Sequence, residues 1–235
     1  MKTKIAQTLF FSGLLGGIYF FPSDKTNTNS QTGIYEIVLP DTARFELKKG
    51  DILVRPNWTG MPGSCAIPNG RMYGHVAIVT EDASGKTIEE TLAKASVVEA
   101  LFFDQATRKF QFKKENQIRE TSASISFGNR FKGIRYRLRT QLSDDQVKRM
   151  IQFLRNQLDG GYNILSLKNR DEVLPRQDSI IRNLKPSNWH CATLAWRAYY
   201  LVSGLDIDAN KGLLIYPSDI IQSKCFDLPG DRVRF

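Results

Sequence analysis

Asn188-Trp189-His190-Cys191-Ala192-Thr193-Leu194-Ala195-Trp196-Arg197-Ala198-Tyr199 turns at Cys191 from a polar stretch into an apolar, helix-forming one. The change predicts a helix that starts at the cysteine and runs to about Ser203, where Gly204 stops it. A thiol in a first helical turn faces unsatisfied backbone N–H groups and the positive end of the dipole, which favour a thiolate and a lowered pKa. A lone cysteine in an apolar helix is ordinarily core packing, so its company decides its role. That company lies upstream in Tyr73-Gly74-His75-Val76-Ala77-Ile78-Val79, where one of only two histidines opens an apolar strand. A thiol at a helix start and an imidazole on a strand are the parts of a nucleophile–base pair.

Working outward, Gly50-Asp51-Ile52-Leu53-Val54 reads as a strand entered from a turn. Residues 56–72 are a Pro/Gly-rich loop ahead of His75, and residues 74–81 and 96–102 are strand candidates. Residues 117–120 and 134–139 are weaker strands. Ser143-Asp144-Asp145-Gln146 matches a capping box, and Val147, Met150, Ile151, Leu154 and Leu158 follow at helical spacing up to Gly160-Gly161. Residues 163–187 form a long polar connection before the cysteine helix. A short helix with Ser218 near its cap and a closing strand at 232–235 complete the chain, with no internal repeat and no second domain.

Glu99 is a charged residue inside the apolar run Val97-Val98-Glu99-Ala100. Such a residue must be paired or must face a cleft, because burying it alone is costly. If the strands at 74–81 and 96–102 are neighbours, Glu99 can orient the His75 ring and complete a Cys–His–acid relay. His190 adjoins Cys191, but neighbouring helical positions point about 100° apart, which makes it a poor base for that thiol. A metal site built from Cys191, His190 and His75 lacks the short-spaced ligand pair such sites use.

These pieces, in this order, resemble the permuted papain-like cysteine hydrolases of the NlpC superfamily, in particular the YiiX/YebB and YycO-like group. The resemblance rests on Gly50-Asp51-Ile52-Leu53, Gly74-His75-Val76-Ala77-Ile78-Val79, Val97-Val98-Glu99-Ala100, Gly161-Tyr162-Asn163, Asn169-Arg170-Asp171, Trp189-His190-Cys191 and Tyr216-Pro217-Ser218-Asp219. It implies an α+β, circularly permuted papain-like fold: a small antiparallel sheet or barrel packed against helices over residues 35–235. It also implies Cys191 as nucleophile, His75 as base and Glu99 as orienting partner. Tyr162 is implied near the nucleophile, as a donor to the substrate carbonyl or its oxyanion. Ala192 stands where relatives often have Ser, and the segments at 56–72 and 163–187 are long, so the first is expected to shape the substrate pocket or act as a lid.

Net charge is +9, or +7 without Lys2 and Lys4, which suits an anionic surface or polymer. Arg135, Arg137 and Arg139 alternate as one strand face, and a solvated face is the ordinary reading of such a strip; nucleic-acid binding through it has no stacking motif behind it. Residues 1–21 pair Lys2 and Lys4 with an uncharged run from Ile5 to Phe21, which reads as a signal peptide or an N-terminal membrane anchor with the domain outside. Residues 22–34 read as a flexible tether. Three cysteines in an exported chain allow a Cys65–Cys225 pair and a free Cys191, or free thiols throughout.

The expected protein is an exported, periplasmic or extracytoplasmic cysteine hydrolase. It would cleave an amide or ester of a cell-envelope peptide or acyl-lipid through an acyl-enzyme, with thioesterase or acyl-transfer chemistry left open. A monomer is expected, associated with the membrane through its N-terminal segment, with no cofactor, metal or nucleic acid. The rival is a non-catalytic envelope protein that keeps the fold to bind lipid or peptide.

Overall fold

The computed structural model describes residues 36–40, 43–57, 65–68, 70–104, 109–110, 117–168 and 185–235. The expected targeting segment and tether lie outside the described residues, as do residues 58–64 and 69 of the 56–72 loop and residues 169–184 of the long connection. Among the described residues no helix is long and apolar enough to cross a membrane.

The class is α+β. Strands β1 (Ile37–Val38), β2 (Phe45–Leu47), β3 (Ile52–Pro56), β4 (Cys65–Ala66), β5 (Met72–Val79) and β6 (Ala83–Gly85) come first. Helix α1 (Ile88–Lys94), strands β7 (Ser96–Ala100), β8 (Phe103–Asp104), β9 (Lys109–Phe110) and β10 (Ile118–Ser122), and helix α2 (Ala123–Phe127) follow. Then come β11 (Tyr136–Leu138), helices α3 (Asp144–Asn156), α4 (Cys191–Ser203) and α5 (Pro217–Ile221), and β12 (Arg232–Arg234). The main sheet runs β1-β12-β11-β3-β5-β7-β10, with β4 also on β5. Its pairings are antiparallel except β1 with β12. Among the described residues the sheet does not close, so of the two expected forms the barrel is absent.

The centre of the sheet is covered on both faces, which is why β5 reads as a continuous apolar run rather than an alternating one. Val76 and Ile78 pack with Cys191, Leu194 and Ala195 of α4. Ala77 and Val79 pack on the other face with Leu53, Val97 and Phe127. Helices α1 and α2, on that second face, were not expected, although Ile88, Thr91 and Leu92 of α1 follow at helical spacing after the capping residue Thr87; α2 has only five residues.

The capping box on α3 forms: Gln146 N–H donates to Ser143 Oγ at 3.3 Å and Ser143 N–H to Gln146 Oε1 at 2.9 Å. The helix stops at Asn156, before the expected Gly160-Gly161, and Asp159 supplies the left-handed residue. The glycines serve close approach instead. A Cβ on Gly160 would sit 2.3 Å from the Ser187 carbonyl oxygen, and one on Gly161 2.4 Å from Asn188 Oδ1. Helix α4 begins at Cys191 and ends on Gly204, whose φ of 70° closes it. The cap of α5 is Tyr216, two residues before Ser218; its N–H donates to Asp219 Oδ2 at 2.8 Å.

The arginine strip is not a solvated face. Arg135 is fully buried and donates to Glu89, while Arg137 is buried and bonds the Gly230 carbonyl. Arg139 is clamped between Asp51 and Glu46. Each of these three arginines is bonded within the fold.

Candidate active site

Strand β5 carries the imidazole, β7 the carboxylate and α4 the thiol. Ala77 faces Glu99 in the register of β5 with β7, which brings His75 and Glu99 to one face of the sheet. His75 Nε2 lies 2.7 Å from Glu99 Oε2, with both side chains buried. Glu99 Oε1 accepts from Arg119 Nε at 3.0 Å and from Ser126 Oγ at 2.8 Å. Burial alone would raise the Glu99 pKa, but His75, Arg119 and Ser126 overcome it and hold the carboxyl down at about 2. Glu99 is therefore an ionised acceptor. Burial, and then the Arg55 charge, lower His75 to about 4, so the ring is neutral at pH 7. A neutral imidazole facing a carboxylate through Nε2 carries its proton there, and Nδ1 keeps the lone pair.

Cys191 is 2% exposed. Its sulfur lies 3.9 Å from the Gly74 carbonyl oxygen, to which the thiol donates. The register of β3 with β5 shifts between Arg55 and Pro56, which makes Gly74 the extra residue of a bulge. Asn57 Nδ2 donates to the same carbonyl at 3.1 Å. Val76 and Ala192 N–H groups also point at the sulfur. The thiol is thus gripped by the backbone on either side of His75. The His75 ring itself leans to the other face, with its centroid 5.8 Å from that of Phe127. Among the described residues no hydrogen bond joins His75 to Cys191.

The expected low thiol pKa is not found. Burial lifts Cys191 to about 11, outweighing the Val76 and Ala192 amides and the nearby Arg55 charge. A helix start favours a thiolate only where the anion is also solvated or directly paired. The resting pair is a neutral thiol and a neutral imidazole.

His190 has more to do with the sulfur than its position in the sequence suggests. It is the N-cap of α4, with φ −75° and ψ 149°, so the helical 100° rule does not govern it. Its Nδ1 accepts from Ala192 N–H at 3.4 Å, and its Nε2 lies 3.9 Å from Cys191 Sγ. Burial, then His75, lower its pKa to about 4. With Nδ1 accepting, the neutral ring carries its proton on Nε2 and presents a donor to the sulfur, not a base.

Tyr162 reaches the nucleophile through backbone pairing. It bridges in parallel to Trp189, with Trp189 N–H donating to Gly161 O at 2.9 Å and Asn163 N–H to Trp189 O at 3.1 Å. Gln117 Oε1 accepts from Tyr162 N–H at 2.6 Å. Burial, and then Cys191 beside it, raise the Tyr162 pKa well above the usual phenol value, so the hydroxyl stays a donor.

Sequence reasoning passed over Arg55, Arg119 and Ser126. Arg55 stands opposite His75 in β3 and is fully buried, a charge at the end of an apolar run as Glu99 is in its own. Cys65, Cys191 and Cys225 are all free thiols. Among the described residues no group of three His, Cys, Asp or Glu side chains could hold a metal ion. No protein-family model, curated protein or solved structure matches this chain.

Proposed function

We propose that this protein is a cysteine hydrolase of the permuted papain-like kind, acting on an amide or ester through an acyl-enzyme. The observation that carries the reading is the buried His75–Glu99 pair, which fixes an unprotonated Nδ1 on the residue between Gly74 and Val76, the two whose backbone holds the Cys191 sulfur. As the sulfur attacks the carbonyl carbon, the thiol proton passes to His75 Nδ1, and Glu99 balances the imidazolium. The Tyr162 hydroxyl and His190 Nε2–H supply donors for the oxyanion. His75 returns its proton to the leaving amine or alcohol, and water then releases the acid. The His75 ring lies on the Phe127 side of β5 and the sulfur on the α4 side, so the proton travels around the strand at Gly74 through a water brought in with the substrate. Residues 1–21 would export the chain or hold it at the membrane, which makes an envelope peptide or acyl-lipid the substrate class.

A second reading has its own observation. A thiol that is 2% exposed and raised to about 11 suits an envelope protein that binds lipid or peptide without turning it over.

The two readings part on labelling. An acyl-reactive probe should modify Cys191, with the rate falling at least about 100-fold in His75→Ala. Alkylation by iodoacetamide should rise about tenfold per pH unit from pH 7 towards the thiol pKa, as a neutral resting thiol requires. Labelling of Cys65 and Cys191 alike, indifferent to His75, would sink the hydrolase reading.

A further inference from the structure

Arg55 is a buried group beside the nucleophile whose bonding is incomplete among the described residues. Its Nη1 donates to the Pro56 carbonyl at 2.9 Å and to Asn57 Oδ1 at 3.0 Å. Its Nε and Nη2 are buried and have no hydrogen-bond partner. These two N–H groups form the side-on edge of a guanidinium, which binds two oxygens of one anion in parallel. Buried donors without partners carry an uncompensated desolvation cost, which points to a ligand that pairs with them.

Three features narrow the ligand. The Asn57 side chain that takes Nη1 also donates to the Gly74 carbonyl, the acceptor of the Cys191 thiol, so the open edge belongs to the nucleophile's own network. The guanidinium carbon stacks 4.6 Å from the Phe131 ring centroid, and Phe127 lies 5.9 Å away, which leaves in-plane approach. A planar carboxylate fits that slot, whereas a tetrahedral phosphate projects oxygens out of the plane. Glu99 is already satisfied by His75, Arg119 and Ser126 and does not fill the Arg55 edge.

We propose that the Nε/Nη2 edge of Arg55 is a carboxylate subsite, taking an acidic group of the substrate close to the carbonyl that Cys191 attacks. This rests on the hydrolase reading and narrows it to acid-bearing peptides or acyl groups, with Arg55 as the specificity-determining residue.

The test uses the full chain and two reagents that differ in charge. Iodoacetate and iodoacetamide both replace the Cys191 S–H by an S–C bond and expel iodide. Iodoacetate should be favoured at Cys191 relative to Cys65 and Cys225 in the same molecule. Arg55→Gln should slow iodoacetate about tenfold or more at Cys191 and leave iodoacetamide within about twofold. Arg55→Lys, which keeps the charge but lacks the side-on edge, should lose the preference too. Equal slowing of both reagents would mean that Arg55 merely supports the thiolate, and the subsite would be overturned. A second measurement needs no reactive thiol: acetate should shift one arginine Nε–H NMR resonance, the one missing from Arg55→Lys. No shift, or a larger one with dimethyl phosphate, would also overturn the subsite. Failure of Cys191 to react at all, with the acetate shift intact, would instead count against the hydrolase.

Discussion

Lys168 and Arg55 are both buried cations, and they are used in opposite ways. Lys168 Nζ bonds Asp208, lies 3.6 Å from Asp206 and sits 5.6 Å from the centre of the Trp196 ring. Asp206 and Asp208 in turn hold the loop after α4, accepting from Trp196 Nε1 at 2.9 Å and from Asn210 N–H at 3.1 Å. Lys168 N–H also donates to Leu213 O. Every charge there has a fixed counterpart, and the result is a clasp between the Tyr162 segment and the back of the cysteine helix. Arg55 has stacking, two acceptors on one nitrogen, and an empty edge. Complete pairing marks a cation that holds the fold; incomplete pairing beside a nucleophile marks one that waits for something. Buried charges differ in what they leave unpaired, and burial alone does not separate structure from function.

The comparison breaks most visibly at Lys168. Lys168→Met leaves Asp208 buried and uncompensated, a change that costs about 3–5 kcal/mol. For a domain of this size that lowers the melting temperature on the order of 10 °C. Adding Asp208→Asn removes the stranded charge, keeps an acceptor for Asn210, and should recover part of the loss. A melting curve unchanged by Lys168→Met would show that the clasp carries no stability.

The next effect is a pH dependence. His75 and His190 both sit near pKa 4 in the fold, below the ordinary value of about 6.5. Between those limits the unfolded chain binds protons that the native state refuses, so stability falls as pH drops from 6.5 towards 4. Glu99, held at about 2, adds a loss in the same direction below its ordinary carboxylate range. Asp219 runs the other way, because burial raises it to about 6. Comparison of a single variant with wild type isolates one ring. His190→Asn keeps a good N-cap and removes the titration. Its stability relative to wild type should improve by about 2 kcal/mol between pH 7 and pH 5, read from denaturant midpoints. Parallel curves would show that the His190 ring protonates freely in the fold.

Much of the site was legible because its local rules are strict. A polar-to-apolar switch located the start of α4, and a charged residue in an apolar strand singled out Glu99, whose only workable solution was a partner. Strand alternation could have gone further. It places His75 with Ala77 and Val79, and Cys191 packs with Val76 and Ile78 on the opposite face, so thiol and imidazole meet only around the strand backbone. What stayed hidden depends on quantities that periodicity does not contain. Burial set the thiol pKa against the helix dipole. Non-helical N-cap dihedrals turned His190 towards the sulfur. Long-range pairing absorbed Arg135 and Arg137, and the open edge of Arg55 exists only once Asn57 and Phe131 have taken the rest of the side chain.

The smallest effect decides the most. Arg55→Met removes bonds to the Pro56 carbonyl and Asn57 Oδ1, and a stacking contact worth about 0.5–2 kcal/mol. It also removes two buried, unsatisfied N–H groups, each of which burdens the native state by about 1–3 kcal/mol. Glu99 keeps its three partners His75, Arg119 and Ser126, so no carboxylate is stranded as Asp208 is by Lys168→Met. The gains and losses nearly cancel, and the stability change should stay within about 1 kcal/mol. Denaturant midpoints of the two methionine variants, measured side by side, settle the matter. A loss at Arg55 as large as that at Lys168 would make both cations structural and would remove the physical reason for expecting an acid at the empty edge.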